Sequence, residues 1–200
     1  MSNEKDTISI IFSDSLAYGL YDKEASGWAS RLRKYMDNYC NGNYIINLAI
    51  PGQTSNDILK RFETELKNRY NNTDNFILIF SFGIKDSLFL NEDNNYINIF
   101  KNNLTQIIFM SKKYTNDILF VGLINPNNEH EKRKNYDLNN VLKIDNCIEK
   151  TCKENSINYI KLKDKITKEE LSEDGLHPNN RGYAKIGKII LKKIYKIEQD

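Results

Sequence analysis

Ser15 closes the run Ile8-Ser9-Ile10-Ile11-Phe12-Ser13-Asp14-Ser15, in which a short apolar stretch stops at three small polar residues. A stretch of that length fits a buried strand better than a helix. Ser-Asp-Ser favours a turn or a cap over a strand interior. The spacing predicts Ser15 where a strand gives way to a loop, at the edge of an open α/β sheet where ligands bind. A serine hydroxyl there can act as a nucleophile if a base, an orienting acid and oxyanion donors lie within reach.

Only two histidines are available as the base. His130 lies in the charged run Asn127 to Arg133, with no apolar anchor, and reads as a solvated loop residue. His177 lies in Glu173-Asp174-Gly175-Leu176-His177-Pro178. Pro178 biases His177 away from helical geometry. Asp174, three residues earlier, can turn back onto the imidazole and fix its tautomer, the orienting role of the acid in a serine triad. Gly52 and Gly83 each follow an apolar run, where a backbone N–H can approach a ligand with no side chain in the way. Asp14 and Asp86 read as loop-structuring carboxylates, because the acid position is already filled. Cys40, Cys147 and Cys152 are odd in number and precede no strand-to-loop switch. They read as reduced, partly buried helix residues.

These residues need a scaffold, and the chain supplies one in five short apolar runs. They are Ile8–Phe12, Tyr44–Ile50, Phe76–Phe82, Ile118–Ile124 and Ile157–Leu162. Between them lie stretches with helical spacing: Ser26 to Tyr39, Ser55 to about Tyr70, Tyr96 to about Tyr114, a segment burying Val141, Ile144, Ile148 and Cys152, and a last helix from Asn180 to about Ile197. Alternating strands and helices predict a three-layer αβα, flavodoxin-like five-stranded parallel sheet with helices on both faces. Ile84 to Asn95 and the charged Asn125 to Tyr136 read as loops. No repeat, linker or boundary divides the chain, so one domain over 1–200 is expected.

Composition narrows the function classes. The chain has 200 residues, 40% hydrophobic and 28% charged, with 29 Lys and Arg against 27 Asp and Glu. A net charge of +2 is too balanced for nucleic acid or an anionic membrane to be the main partner. No run is long enough to span a membrane, and the N-terminus lacks a signal-peptide core. A cytoplasmic protein is expected. A flavodoxin-like phosphate binder would need a glycine-rich phosphate loop, which is missing from the sequence.

Taken together, these blocks resemble the SGNH (GDSL-type) hydrolase family in order from Ile8 to about Ile194. Phe12-Ser13-Asp14-Ser15-Leu16 with Tyr18-Gly19 is similar to the first block, usually Gly-Asp-Ser-Leu. Gly27-Trp28 resembles a common opening of the first helix. Asn47-Leu48-Ala49-Ile50-Pro51-Gly52 resembles the second block, Gly83-Ile84-Lys85-Asp86 the third, and Asp174-Gly175-Leu176-His177-Pro178 the last. The resemblance implies an esterase with Ser15 as nucleophile, His177 as base, Asp174 as orienting acid and an oxyanion N–H from Gly52. It implies a small-molecule ester substrate and no metal or organic cofactor. Two positions depart from the pattern. Ser13 replaces a glycine, and Lys85 replaces the asparagine that is the family's third oxyanion donor. Losing such a donor costs on the order of 10²–10³ in turnover. Lys85 can donate in its place, reach an anionic substrate group, or point to solvent. A weakened, binding-only relative is the alternative reading. Leu88-Phe89-Leu90 can wall an acyl chain or pack as core. Acetylated carbohydrate, short lipid ester, thioester and lysophospholipid all fit as substrates.

Overall fold

A computed structural model describes residues 7–39, 43–70, 75–93, 95–127, 129–131 and 136–195. Cys40, the connector at 71–74 and parts of the charged loop, 128 and 132–135, lie outside the described residues.

The apolar runs form β1 (Thr7–Ser13), β2 (Asn43–Asn47), β3 (Asn75–Ser81), β4 (Ile118–Val121) and β5 (Asn158–Ile160). They make one parallel sheet in the order β2-β1-β3-β4-β5. The helices are α1 (Ser15–Tyr18), α2 (Gly27–Tyr39), α3 (Ser55–Lys67), α4 (Asp86–Phe89), α5 (Tyr96–Ser111), α6 (Leu138–Glu154) and α7 (Asn180–Tyr195). A 3₁₀ turn at Lys168–Glu170 precedes α7.

Alternation along each strand sorts side chains between two cores. Ile10, Phe12, Leu78, Phe80, Ile118 and Phe120 pack with Ile58 and Phe62 of α3, Phe100 and Leu104 of α5 and Ile144 and Ile148 of α6. Ile11, Ile79, Leu119 and Val121 face the other way, onto Trp28 and Leu32 of α2 and Tyr183 and Ile186 of α7. The expected three-layer αβα arrangement is therefore present, with α3, α5 and α6 on one face and α2 and α7 on the other.

The order of strands decides where a site can form. From β1 the chain crosses to β2 on one side and returns to β3 on the other. The connections diverge above the C-terminal end of β1, which opens a crevice there. Ser13, the last residue of β1, lies under that crevice.

Two short helices depart from expectation. The reading of Ser15 as a loop residue is corrected: it is the first residue of α1. The 84–95 loop likewise contains α4. Each has four residues, too few to show an apolar periodicity. β2 ends at Asn47, short of the expected Ile50, yet its pairing to β1 continues. The N–H groups of Leu48 and Ile50 donate to Ile11 and Ser13 carbonyls at 2.9 and 3.0 Å.

Candidate active site

Ser15 is set by its neighbours on either side. The Ser13 hydroxyl donates to the Ser81 carbonyl at 2.5 Å and pins the end of β1 to β3. Serine is accommodated there because its one donor is satisfied inside the sheet. Asp14 then caps α1, its Oδ1 accepting the Leu16 N–H at 3.0 Å. The chain turns at Asp14, so Ser15 stands at the helix start with its N–H free of any intrahelical acceptor.

His177 is placed by the loop before α7. Leu171 and Pro178 form a bridge, and the Ser172 N–H donates to the His177 carbonyl at 2.7 Å. Inside that loop one carboxylate organises everything. Asp174 Oδ1 accepts from the Ser172 hydroxyl at 2.7 Å and from the Leu176 and His177 N–H groups at 2.9 Å each. Its Oδ2 lies 2.7 Å from His177 Nδ1, and Nε2 lies 2.9 Å from Ser15 Oγ. Burial pushes the Asp174 carboxyl up, but these four hydrogen bonds outweigh it and hold the group well below the usual carboxylate range. An ionised Asp174 can only accept, so Nδ1 donates to it, leaving Nε2 as the acceptor for the Ser15 hydroxyl. The three residues are buried, with His177 6% exposed.

The cavity above Ser15 has a volume of about 160 Å³, with walls that include Leu20, Gly52, Ile84, Lys85, Tyr136 and Leu176. Gly52 sits beside Ser15 because the β2 ladder runs on through Ile50. Its φ is +78°, and a Cβ there would meet open space, so the backbone faces the cavity. Lys85 stands immediately before α4 and is half-buried. Asp14 touches the same cavity. Burial pushes its carboxyl up to about 7; the Leu16 N–H opposes this and the Asp86 charge adds to it. Asp14 Oδ2 is buried without a hydrogen-bond partner among the described residues.

Gly83 is not brought to the cavity. A Cβ there would lie 2.9 Å from Ile144 Cγ2 and 3.5 Å from both Ile148 Cδ1 and Phe100 Cε2. Its missing side chain makes room for α5 and α6. Asp86 is fully buried and structural in its contacts. It accepts from the Ser55 N–H and hydroxyl and from the Tyr96 hydroxyl, at 3.0, 2.6 and 2.9 Å. Burial pushes it up to about 6 against those donors. Leu90 joins the core, while Phe89 is exposed and stacks on Tyr96, so only the last residue of this segment packs as core.

His130 corrects another expectation. It is half-buried, and a Cβ at Gly175 would come within 2.8 Å of its own Cβ. The Asn127 N–H also donates to the Gly175 carbonyl at 2.7 Å. Asn127 and His130 of the charged loop are thus packed against the loop that carries His177 rather than free in solvent. Sequence reasoning also missed Tyr21, whose ring stacks on His177 with centroids 5.3 Å apart and planes at 22°. Nothing local marks it, since a tyrosine gives no sign in the sequence of the φ of +69° that it adopts. Among the described residues, no three His, Cys, Asp or Glu side chains gather as a metal site, and no helix is long and apolar enough to cross a membrane.

Residues 14–185 match the sequence pattern of the GDSL-like lipase/acylhydrolase family. Solved structures with the same fold include a lipase/acylhydrolase from Enterococcus faecalis, 20% identical, covering 98% of this chain and 100% of that one with a TM-score of 0.79. The Axe2 acetylxylan esterase of Geobacillus stearothermophilus is 13% identical, covering 97% and 96%, with a TM-score of 0.76. The esterase EstA of Pseudoalteromonas sp., in a structure inhibited by monoethylphosphonate, is 19% identical, covering 96% and 98%, with a TM-score of 0.75. No curated protein sequence matches this chain.

Proposed function

The chain belongs to the GDSL-like lipase/acylhydrolase family, and from that premise we propose that it is a serine esterase acting on small carboxylic esters through an acyl-enzyme. The observation that carries the reading is the continuous Asp174–His177–Ser15 hydrogen-bond chain, at 2.7 and 2.9 Å.

In the first half-reaction His177 Nε2 takes the Ser15 proton as Oγ attacks the ester carbonyl. Asp174 stabilises the imidazolium. The new oxyanion is met by the N–H groups of Ser15 and Gly52, with Lys85 at the same cavity as the third group. The imidazolium then gives its proton to the leaving alcohol as the C–O bond breaks, which leaves the acyl group on Ser15. Water follows the same path: His177 takes its proton, the hydroxyl attacks the acyl carbon, and Ser15 regains its proton as the acid departs. The small cavity over Ser15, with Leu20, Ile84 and Leu176 in its walls, favours short acyl groups such as acetyl and butyryl over fatty chains.

A p-nitrophenyl ester series tests the reading. Wild type turns over the acetate and butyrate faster than longer chains, and Ser15→Ala lowers kcat by about 10⁴-fold or more. A fluorophosphonate labels Ser15 in the wild type. An alanine variant with the wild-type rate, or a folded wild type that is neither active nor labelled, overturns the proposal.

A further inference from the structure

An oxyanion donor must be held to within a fraction of an ångström, since a 1 Å error costs about 10²-fold in rate. Gly52 does not hold itself that firmly. A glycine takes up positive and negative φ with about equal ease. A Cβ there would meet open space, so nothing packs against that side of the backbone. Its turn is also thin. The Gln53 N–H reaches the Ile50 carbonyl at 3.4 Å, long for such a bond. Pro51 and then Gly52, at φ +78°, take the central positions, the pattern of a type II turn. Ile50, Pro51 and Gly52 are all exposed.

The support comes from α3. Arg61 Nε donates to Gln53 Oε1 at 2.8 Å, and Nη2 donates to the Leu48 carbonyl at 2.6 Å. One planar guanidinium thus grips the chain before the turn and after it. Leu48 is held from the other side as well, its N–H donating to the Ile11 carbonyl at 2.9 Å. The guanidinium also lies over the Phe12 ring, 5.4 Å from its centroid. Phe12 belongs to β1, the strand that runs on to Ser15. The brace therefore fixes the Gly52 segment relative to the strand that places the nucleophile.

Packing alone does not account for this residue. The Arg61 side chain is 15% exposed, and Glu65 Oε1 stands 3.9 Å from Nη1. Nη1 is buried without a hydrogen-bond partner among the described residues. An apolar side chain at this point of α3 would cover Phe12 and leave no donor unmet. It would not bridge the two acceptors. Resting on the esterase reading above, we propose that Arg61 is a positioning residue of the oxyanion site: it walls no part of the cavity over Ser15, and its fork holds the Gly52 N–H where the oxyanion forms.

Three variants assayed on p-nitrophenyl acetate test it. Arg61→Met is expected to lower kcat by about 30-fold, with KM within about twofold of wild type. Arg61→Lys regains only part of the loss, because a single ammonium takes one acceptor and not both; it carries the same test should the methionine variant not fold. Propyl trifluoromethyl ketone reads the oxyanion directly. Ser15 Oγ adds to its carbonyl, the hydroxyl proton passes to His177, and the ketone oxygen becomes the anion. Its inhibition constant rises in Arg61→Met by about the factor that kcat falls. Gln53→Ala lowers kcat by about threefold in the wild type and by nothing further in Arg61→Met, since both act through one brace. A wild-type kcat in Arg61→Met overturns the proposal. So does a loss that follows the urea midpoint while the ketone binds as before, or additive losses in the double variant. All three leave the esterase standing. A wild type that hydrolyses no ester and takes no fluorophosphonate overturns both.

Discussion

At the scale of single residues, two side chains at the cavity set its charge. Lys85 stands where the family has an amide donor, and a long flexible ammonium is a looser donor than a short fixed amide. Lys85→Asn is expected to raise kcat by about tenfold or more with little change in KM, in the direction set by restoring one oxyanion donor. A fall in kcat for p-nitrophenyl acetate would make Lys85 itself the working donor. Asp14 is the second. Its carboxyl moves from 3.8 to about 7 on folding, so the folded state holds a proton that the unfolded chain has released. The stability it contributes is full below about pH 4 and is lost as pH rises towards 7. Asp14→Asn, neutral throughout, should gain on wild type over that window by on the order of 3 kcal/mol. Urea denaturation at pH 4, 5.5 and 8 reads the gap, and parallel curves would refute it.

At the scale of elements, the site is made where regular structure stops. α1 exists because Asp14 satisfies an N-terminal N–H and Gly19 closes the helix with φ +87°. Thr54 and Asp57 form a capping box that starts α3, and Ser55 is tied to Asp86 of α4. The β2–α3 and β3–α4 connections, which carry Gly52 and Lys85, are thereby locked to each other. The 19–27 loop, which carries Tyr21, depends in the same way on one buried carboxylate. Asp22 pairs with Arg31 and accepts from the Glu24, Ala25 and Gly27 N–H groups. Asp22→Ala leaves Arg31 only the more distant Glu24 carboxylate and frees three N–H groups, at an expected cost of about 3 kcal/mol. Because Tyr21 loses its support, kcat should fall together with the urea midpoint. A variant as stable as wild type would show that the loop is held by other contacts.

At the scale of the whole molecule, the two cores meet the site from opposite faces of one sheet. The α2–α7 face brings Tyr21 and His177. The α3–α5–α6 face brings the connections bearing Gly52 and Lys85. Gly83 marks the tightness of the second face. Gly83→Ala places a Cβ 2.9 Å from Ile144 at a φ of +128°. The expected loss is about 1–3 kcal/mol in stability. The kcat of the folded fraction should hold, because this position backs onto core rather than cavity. Loss of kcat at unchanged stability would assign Gly83 to the oxyanion site after all.

The sequence alone determined the alternation of five strands with helices on both faces, and it singled out Ser15, Asp174 and His177, which the fold brings into one hydrogen-bonded chain, for a physical reason. Period-two and period-3.6 burial are local properties, and so is the turn by which Asp174 reaches a histidine three residues on. Only the tertiary structure decided which glycine faces the cavity and which faces a helix, since Gly52 and Gly83 follow apolar runs in the same fashion. It alone set Tyr21 on His177, through bonds from Lys23 to Asn180 and from Tyr183 to Leu20 across the chain, and laid His130 against Gly175. Contacts between residues so far apart in the chain leave no periodic trace, because they depend on how two faces of a sheet are loaded rather than on any stretch that can be read by itself.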